Sequence, residues 1–405
     1  MADLFAKMAS DETIKRVKEA RDIGMYPYFR ALSHSEGVTA TIEGKQVVML
    51  GSNNYLGLTT DPRVREAAIR AIEQYGTSVT GSRFLNGTLE LHLELERRLA
   101  KFVGKEAALV FSTGYQTNLG TISAVVGKGD YVVLDKDDHA SIVDGCTMSQ
   151  GEMKRFRHND VSSLDSVLSR LPAEAGKLVV VDGVYSMGGD IAPMKEIVEI
   201  CKKHGARIMV DDAHGIGVTG NGRGTAAHFG LTNEVDLIMG TFSKSFASIG
   251  GFIAGDAEVI YYIQHKARPL IFSAALPAPN AAAVLAALDI IESEPQHVES
   301  LWNNAEYMRA GLKALGYNTG MSNTPIIPVL LGEDFRVGLA WHALIEEGVY
   351  TNPVVPPATP VGLLRTSYTA THRQEHLDRA LAAFKVVGER LDFIPVQDGV
   401  ASALN

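Results

Sequence analysis

Five short apolar runs each stop at a cluster of small, polar or charged residues. The runs are Ala107–Phe111, Tyr131–Leu134, Leu178–Asp182, Arg207–Val210 and Val235–Met239. They end in Ser112–Asn118 (STGYQTN), Asp135–Ser141 (DKDDHAS), Gly183–Asp190 (GVYSMGGD), Asp211–Gly220 (DDAHGIGVTG) and the turn at Gly240. Short apolar runs bounded by turn residues read as strands buried on both faces. Met194–His204 lies between two of them with helical spacing. Alternating strands and helices predict an α/β fold, a mostly parallel sheet with helices on both faces. Such sheets bind ligands beyond the carboxyl ends of their strands. The polar clusters all fall there, and their convergence says more than any one motif.

The last of these stretches, VDLIMGTFSKSFASIGG (Val235–Gly251), carries a lysine among small hydroxyl residues: Thr241, Ser243, Lys244, Ser245. A lysine with few charges nearby at the end of a buried strand acquires a lowered pKa and can act as a nucleophile or Schiff-base former. The hydroxyls of Thr241 and Ser243 suit a phosphate. A Schiff-base lysine beside phosphate-binding hydroxyls points to pyridoxal phosphate, PLP. On this stretch alone, an ordinary lysine at a strand-to-loop exit explains the pattern equally well.

The chain has 405 residues, 46% hydrophobic and 21% charged, enough for a large core and more than one domain. A net charge of −9 without a basic tract argues against a nucleic-acid partner. The cysteines, Cys146 and Cys201, make no CxxC, which excludes a disulfide framework or a cysteine zinc site and fits a reducing cytosol. The N-terminus lacks an apolar signal core, and no stretch has the roughly 18 apolar residues of a membrane span. The expected location is therefore cytoplasmic. Residues 3–24 predict one amphipathic helix that packs on the body, on a partner subunit or peripherally at the inner membrane surface. Thr39–Ile42 and Gln46–Leu50 predict a hairpin, followed by the Gly- and Asn-rich loop Gly51–Leu58. Pro62–Tyr75 and Glu90–Val103 are helical by period and flank Gly76–Thr88, a loop dense in Gly, Ser and Thr that permits close backbone approach to a ligand. Beyond residue 275 come an alanine-rich helix (Asn280–Ser293), helices at His297–Leu315, Phe335–Glu347 and His376–Leu391, and strands at Ile326–Leu331 and Leu363–Ser367. The expected division is an N-terminal segment 1–57, a large domain 58–290, a small α+β domain 291–393 and a disordered tail 394–405.

If the ligand is PLP, each cluster has a physical task. Ser112, Thr113, Gly114 and Tyr115 open a helix whose N–H groups hold a phosphate. Asp211, buried directly after a strand, would pair with the pyridine nitrogen and keep it protonated. His214 would reach the phenolic oxygen, and His139 would stack on the ring. Satisfied core histidines are the competing reading, and it is accepted for His228, His265 and His342. His92, Glu94 and Glu96 lack ligand spacing and read as structural. Gly215–Gly220 matches GxGxxG, but four residues separate it from its strand and no apolar helix follows, so a dinucleotide site is not expected.

DDHAS, VDDAHGIGVTG, GTFSKSFASIGGF and LLRTSYTATH together resemble the α-oxoamine synthases, in the family's order and over about Met25 to Leu391. The resemblance implies a fold-type I PLP-dependent transferase (aspartate aminotransferase-like) that condenses an amino acid with an acyl-CoA and releases CoA and carbon dioxide. It implies Lys244 as the Schiff-base lysine, Asp211 at the pyridinium, His139 stacked on the ring, and His214 and Ser186 near the phenolic oxygen. Ser112, Gly114, Tyr115, Thr241 and Ser243 would hold the phosphate, with Ser273 and Ala274 approaching from the neighbouring subunit of a homodimer. Arg365 would bind the amino-acid carboxylate, and Asn53 would line the substrate site.

Within the family, TGSRFLNGT (Thr80–Thr88), YTNPVVPPATP (Tyr350–Pro360) and GTFSKS resemble the bacterial members that take L-serine and a long-chain acyl-CoA. Ser82, where the aminolevulinate enzymes carry threonine, leaves room for a substrate side chain. Val355 stands where some of these members have an arginine. Asp182 and Gly188 stand where much of the family has Glu and Asp. The alternatives are an 8-amino-7-oxononanoate synthase or a 2-amino-3-ketobutyrate CoA ligase, and, outside catalysis, a PLP-fold partner subunit. The presence of Lys244, Asp211, His139 and Arg365 argues against that last reading.

Overall fold

The computed structural model describes residues 3–394. Among them the strands form three sheets. The largest has seven strands in the order Ala107–Phe111, Gly251–Gly255, Leu237–Thr241, Arg207–Asp211, Lys177–Asp182, Tyr131–Asp135, Glu152–Phe156. Only Gly251–Gly255 runs against its neighbours. The central strands lie parallel in continuous register, Leu178 opposite Arg207 and Asp182 opposite Asp211. Successive residues enter opposite cores. Val133, Val179, Val181 and Val210 face one, and Val132, Leu134, Val180 and Met209 the other. This double burial explains runs with no polar alternation.

The strand expected at Val235–Met239 spans Leu237–Thr241, so Thr241 belongs to the sheet. Pro62–Tyr75 is a helix whose Asp61 caps it by accepting from Arg63 N, with Pro62 at a position that needs no N–H. Glu90–Val103 and Met194–His204 are helices, each closed by a left-handed glycine, Gly104 and Gly205. The helix Ala278–Ser293 lies against Pro62–Tyr75.

A second core surrounds an antiparallel sheet of Ile326–Gly332, Gly362–Ser367 and Asn352–Val354, covered by helices Gln296–Leu315, Asp334–Glu346 and Gln374–Arg390. The hairpin Thr39–Ile42/Lys45–Met49 gains Leu32–Ser35 on one side and Val349–Tyr350, parallel, on the other. Val48 and Leu50 join the second core. Ile394, assigned to the tail from sequence, is buried there at 3% exposure; residues 395–405 lie outside the described residues.

One expectation is overturned at the N-terminus. The single helix over 3–24 is two, Leu4–Ala9 and Glu12–Asp22, and neither buries a residue. Asp11 accepts from Thr13 N and Ile14 N, so it caps a new helix instead of continuing the old one.

The GxGxxG stretch serves close packing. A Cβ on Gly215 would lie 1.8 Å from Asp212 Oδ1, and one on Gly217, at φ +78°, 2.3 Å from Ser245 Cβ. The glycines let this loop lie against Asp212 and the segment carrying Lys244. The glycines do not open a helix: a 3₁₀ turn at Gly220–Gly222 follows them, and then only the four-residue helix Thr225–His228.

Candidate active site

A cavity of about 300 Å³ lies beyond the carboxyl ends of the large sheet. The helix Gly114–Val125 points its N-terminus at one end. Thr113 caps it, its hydroxyl accepting from Gln116 N at 3.1 Å. The N–H groups of the next residues, Gly114 and Tyr115, have no acceptor within the helix. A Cβ on Gly114 would lie 2.7 Å from Thr241 Oγ1, so glycine lets that hydroxyl approach. Thr241 Oγ1 and Ser243 Oγ are 2.9 Å apart. Backbone N–H groups at a helix N-terminus beside paired hydroxyls make an anion cradle.

At the other end Asp211 closes its strand, 4% exposed. Oδ2 accepts from Asn118 Nδ2 at 2.6 Å and Oδ1 from Ala213 N at 3.0 Å. Asn118 Nδ2 also donates to Ser141 Oγ at 2.8 Å, which is 2.7 Å from His139 Nδ1. One chain of contacts thus orients both Asp211 and the imidazole that caps the helix Ala140–Met148. Burial pulls His139 below the usual histidine range; Asp211 opposes this and Lys244 adds to it. Burial likewise takes His214 well below that range, helped by the charges of Lys244, Arg365 and His139.

Lys244 sits on the turn after Thr241 and lines the cavity. Burial pulls its amine down to about 8, against the attraction of Asp211 and Asp182. Asp182 also lines the cavity, and its Oδ1 is buried without a hydrogen-bond partner among the described residues. Burial, then the charge of Asp211, holds its carboxyl well above the usual range.

Gly114, Tyr115, His139, Asp211, His214, Thr241, Ser243 and Lys244 therefore share one cavity, as the sequence expects. Arg365, Asn53 and Ser186 do not line it; they connect to it through Tyr55, whose hydroxyl lies 2.7 Å from His214 Nδ1 and 3.5 Å from a terminal nitrogen of Arg365. Arg365, 4% exposed on the strand Gly362–Ser367, donates from Nε to the Ser186 carbonyl at 2.5 Å and from a terminal nitrogen to Asn53 Oδ1 at 2.9 Å. Ser112, Ser273 and Ala274 do not line the cavity. Within this chain Ser112 Oγ donates to the Ala274 carbonyl, and Gln116 Nε2 to Ser273 Oγ at 3.1 Å. Ser82 also stands outside the cavity. Its loop is anchored by Ala275 N donating to Gly81 O at 2.9 Å and by the Arg83–Glu96 ion pair at 2.8 Å. Asn118 and Ser141 also line the cavity, and Tyr55 touches its lining residue His214; sequence reasoning missed all three. Asn118 ends the STGYQTN cluster, and Tyr55 lies in the Gly51–Leu58 loop, so the polar clusters held the only signal for them.

The donor set fits PLP. An anion cradle, an amine drawn down to about 8 and a buried carboxylate face one cavity, with an unpartnered carboxyl oxygen of Asp182 beside them. Those groups match a phosphate, an aldehyde and a ring nitrogen respectively.

The family model "Aminotransferase class I and II" matches residues 45–384. A serine palmitoyltransferase of Sphingobacterium spiritivorum is 49% identical over 368 residues, covering 90% of this chain and 92% of that protein. An 8-amino-7-oxononanoate synthase of Symbiobacterium thermophilum is 42% identical over 389 residues, covering 95% and 99%. Among solved structures, a serine palmitoyltransferase of S. paucimobilis carrying a PLP–myriocin adduct superposes with a TM-score of 0.94 at 41% identity, covering 97% of this chain and all of that one.

Proposed function

The chain belongs to the aminotransferase class I and II family, and from that premise we infer that it is a PLP-dependent acyltransferase of the α-oxoamine synthase group. Its reaction is the decarboxylative condensation of L-serine with a long-chain acyl-CoA to a 3-ketodihydrosphingosine, CoA and carbon dioxide, the first step of sphingolipid synthesis. The observation that carries this reading is Lys244, an amine drawn to about 8 in a cavity bounded by an anion cradle and Asp211. The serine palmitoyltransferases among its relatives support the choice of substrates.

Gly114 and Tyr115 through backbone N–H, with Thr241 and Ser243 through hydroxyls, would hold the cofactor's phosphate. Asp211, oriented by Asn118 and Ala213 N, would face its ring nitrogen. When bound, PLP supplies an electrophilic carbon for amines and a ring that accepts the electron pair left at a substrate carbon. Arg365 would offer the serine carboxylate the terminal nitrogen that Ser186, Asn53 and Tyr55 leave unengaged. Lys244 Nζ takes the Cα proton, which an amine near pKa 8 does efficiently at neutral pH. His139, held neutral by burial, would cover the cofactor's ring without adding charge.

The test is the visible absorption of purified protein with added PLP, titrated in turn with L-serine, L-alanine and glycine. A chromophore that responds most tightly to L-serine, lost in Lys244→Ala, is expected. A preference for L-alanine would move the reading to 8-amino-7-oxononanoate synthesis, which the 42% identical relative favours as the second choice. Absence of a chromophore would sink the PLP assignment. The working assembly proposed is a homodimer of 43.6 kDa chains. Phe84, Leu85, Tyr261 and Phe272, each more than half exposed, supply apolar surface that a second copy would cover. The proposed location is the cytoplasm, with the exposed N-terminal helices within reach of the inner membrane surface. No helix among the described residues is long and apolar enough to cross a membrane.

A further inference from the structure

Tyr55 is fully buried, and its hydroxyl oxygen lies 2.7 Å from His214 Nδ1 and 3.5 Å from a terminal nitrogen of Arg365. A guanidinium has donors only. The oxygen therefore accepts from Arg365, and the hydroxyl proton must point elsewhere. Its acceptors are His214 Nδ1 and, at 3.4 Å, Asn53 Oδ1. Asn53 Oδ1 already accepts from Arg365 at 2.9 Å, and the 2.7 Å contact is far the better hydrogen bond. The reverse arrangement, His214 donating from Nδ1, would leave the hydroxyl proton only the 3.4 Å contact to an oxygen that already accepts from Arg365. A neutral imidazole has one N–H and one bare nitrogen. Burial above all, with the charges of Lys244 and Arg365, keeps His214 neutral. With Nδ1 receiving a proton, the hydrogen sits on Nε2, the nitrogen not turned to Tyr55.

We propose that Tyr55 is a positioning residue that locks His214 in the Nε2–H tautomer, with Arg365 setting the direction of the Tyr55 hydroxyl. His214 then offers the cavity a hydrogen-bond donor and never a bare nitrogen. A donor suits an oxyanion, and the phenolic oxygen of PLP is the group it would meet. That last point rests on the PLP reading above; the tautomer does not. The carboxylate clamp and the cofactor-facing histidine are thereby joined through one oxygen.

The tautomer can be read in apoprotein labelled with ¹⁵N-histidine, because protonated and bare imidazole nitrogens differ widely in shift. The His214 signals are assigned by their loss in His214→Gln. The expected result is Nε2–H in the unmodified protein and a mixed or Nδ1–H population in Tyr55→Phe, which keeps the ring and its packing. Nδ1–H in the unmodified protein, or no change in Tyr55→Phe, would overturn the proposal. In PLP-loaded enzyme, Tyr55→Phe should lower kcat/KM for L-serine about 10-fold, the scale of losing a partner that orients a functional histidine. Added to His214→Gln, it should cost nothing further. An equal loss in that background would mean a packing role and overturn the proposal. If no chromophore forms with PLP, the functional reading fails while the apoprotein spectra still decide the tautomer.

Discussion

Lys244 shows how one residue's surroundings make its chemistry. Burial disfavours the ammonium, Asp211 and Asp182 favour it, Arg365 disfavours it, and the balance falls near 8. The folded pKa lies below the ordinary lysine value of 10.5. The neutral amine is thus favoured by folding, a stability contribution complete above about pH 10.5 and lost as pH falls through about 8. The initial rate at which apoprotein captures PLP, trapped with borohydride, should rise to half-maximum near pH 8. Asp211→Asn removes a charge that favours the ammonium, so the midpoint should move down. A midpoint near 10.5, or an unmoved one in the variant, would refute this account. Lys244, Asp211, His214, His139 and Gly114 could be picked from sequence because each stands at or just past a strand's carboxyl end, where local pattern and site location coincide. Asn118 could not: it lies a turn into a helix, where a polar residue that donates to Asp211 looks the same as one that faces water. Asp182 was noted only as a departure from its family, since nothing local shows that one of its oxygens lacks a partner.

At the scale of elements, His158 ties together the ends of three strands. Nδ1 lies 3.0 Å from Asp135 at the end of Tyr131–Asp135, and Nε2 2.9 Å from Asp190 beyond Lys177–Asp182; His158 itself follows Glu152–Phe156. The loops so joined carry His139 and Ser186. Burial would lower the imidazole's pKa, but the hydrogen bonds and charges of Asp135 and Asp190 outweigh it and raise it to about 10. A base raised above its unfolded value of 6.5 contributes stability that is full below about pH 6.5 and lost as pH rises through about 10. The melting temperature of the apoprotein should therefore fall between about pH 6.5 and 8, below the range where the opposite contribution of Lys244 sets in, and the slope should flatten in His158→Gln. An unchanged slope would remove His158 from that role. Sequence showed neither this tie nor the strand Glu152–Phe156 that leads to it. An edge strand reading EMKRF guards itself with charge and gives no apolar run. Interior strands and the helices Pro62–Tyr75, Glu90–Val103 and Met194–His204 were legible because burial writes their period directly into the sequence. The two-helix N-terminus was not, because nothing there is buried and the cap at Asp11 alone decides.

At the scale of the whole molecule, Arg365 joins bodies with separate cores. Its strand belongs to the small antiparallel sheet, while its Nε reaches Ser186 beyond the large sheet and a terminal nitrogen reaches Asn53 after the N-terminal hairpin. A substrate carboxylate gripped by this residue would therefore sit where all three sheets meet. Lysine cannot reproduce a planar fork held at several points. A hydrogen bond to a charged group is worth about 1.5–3 kcal/mol, and roughly 1.4 kcal/mol is a factor of ten. Arg365→Lys should thus raise KM for L-serine by about 10- to 100-fold, with a smaller change in kcat. Ethanolamine, which is L-serine without its carboxylate, separates gripping from scaffolding. If Arg365 acts on the carboxylate, ethanolamine should perturb the chromophore at the same concentration in both proteins. If the variant weakens both ligands equally, the arginine's work lies in holding the three sheets together, and the carboxylate must be bound elsewhere.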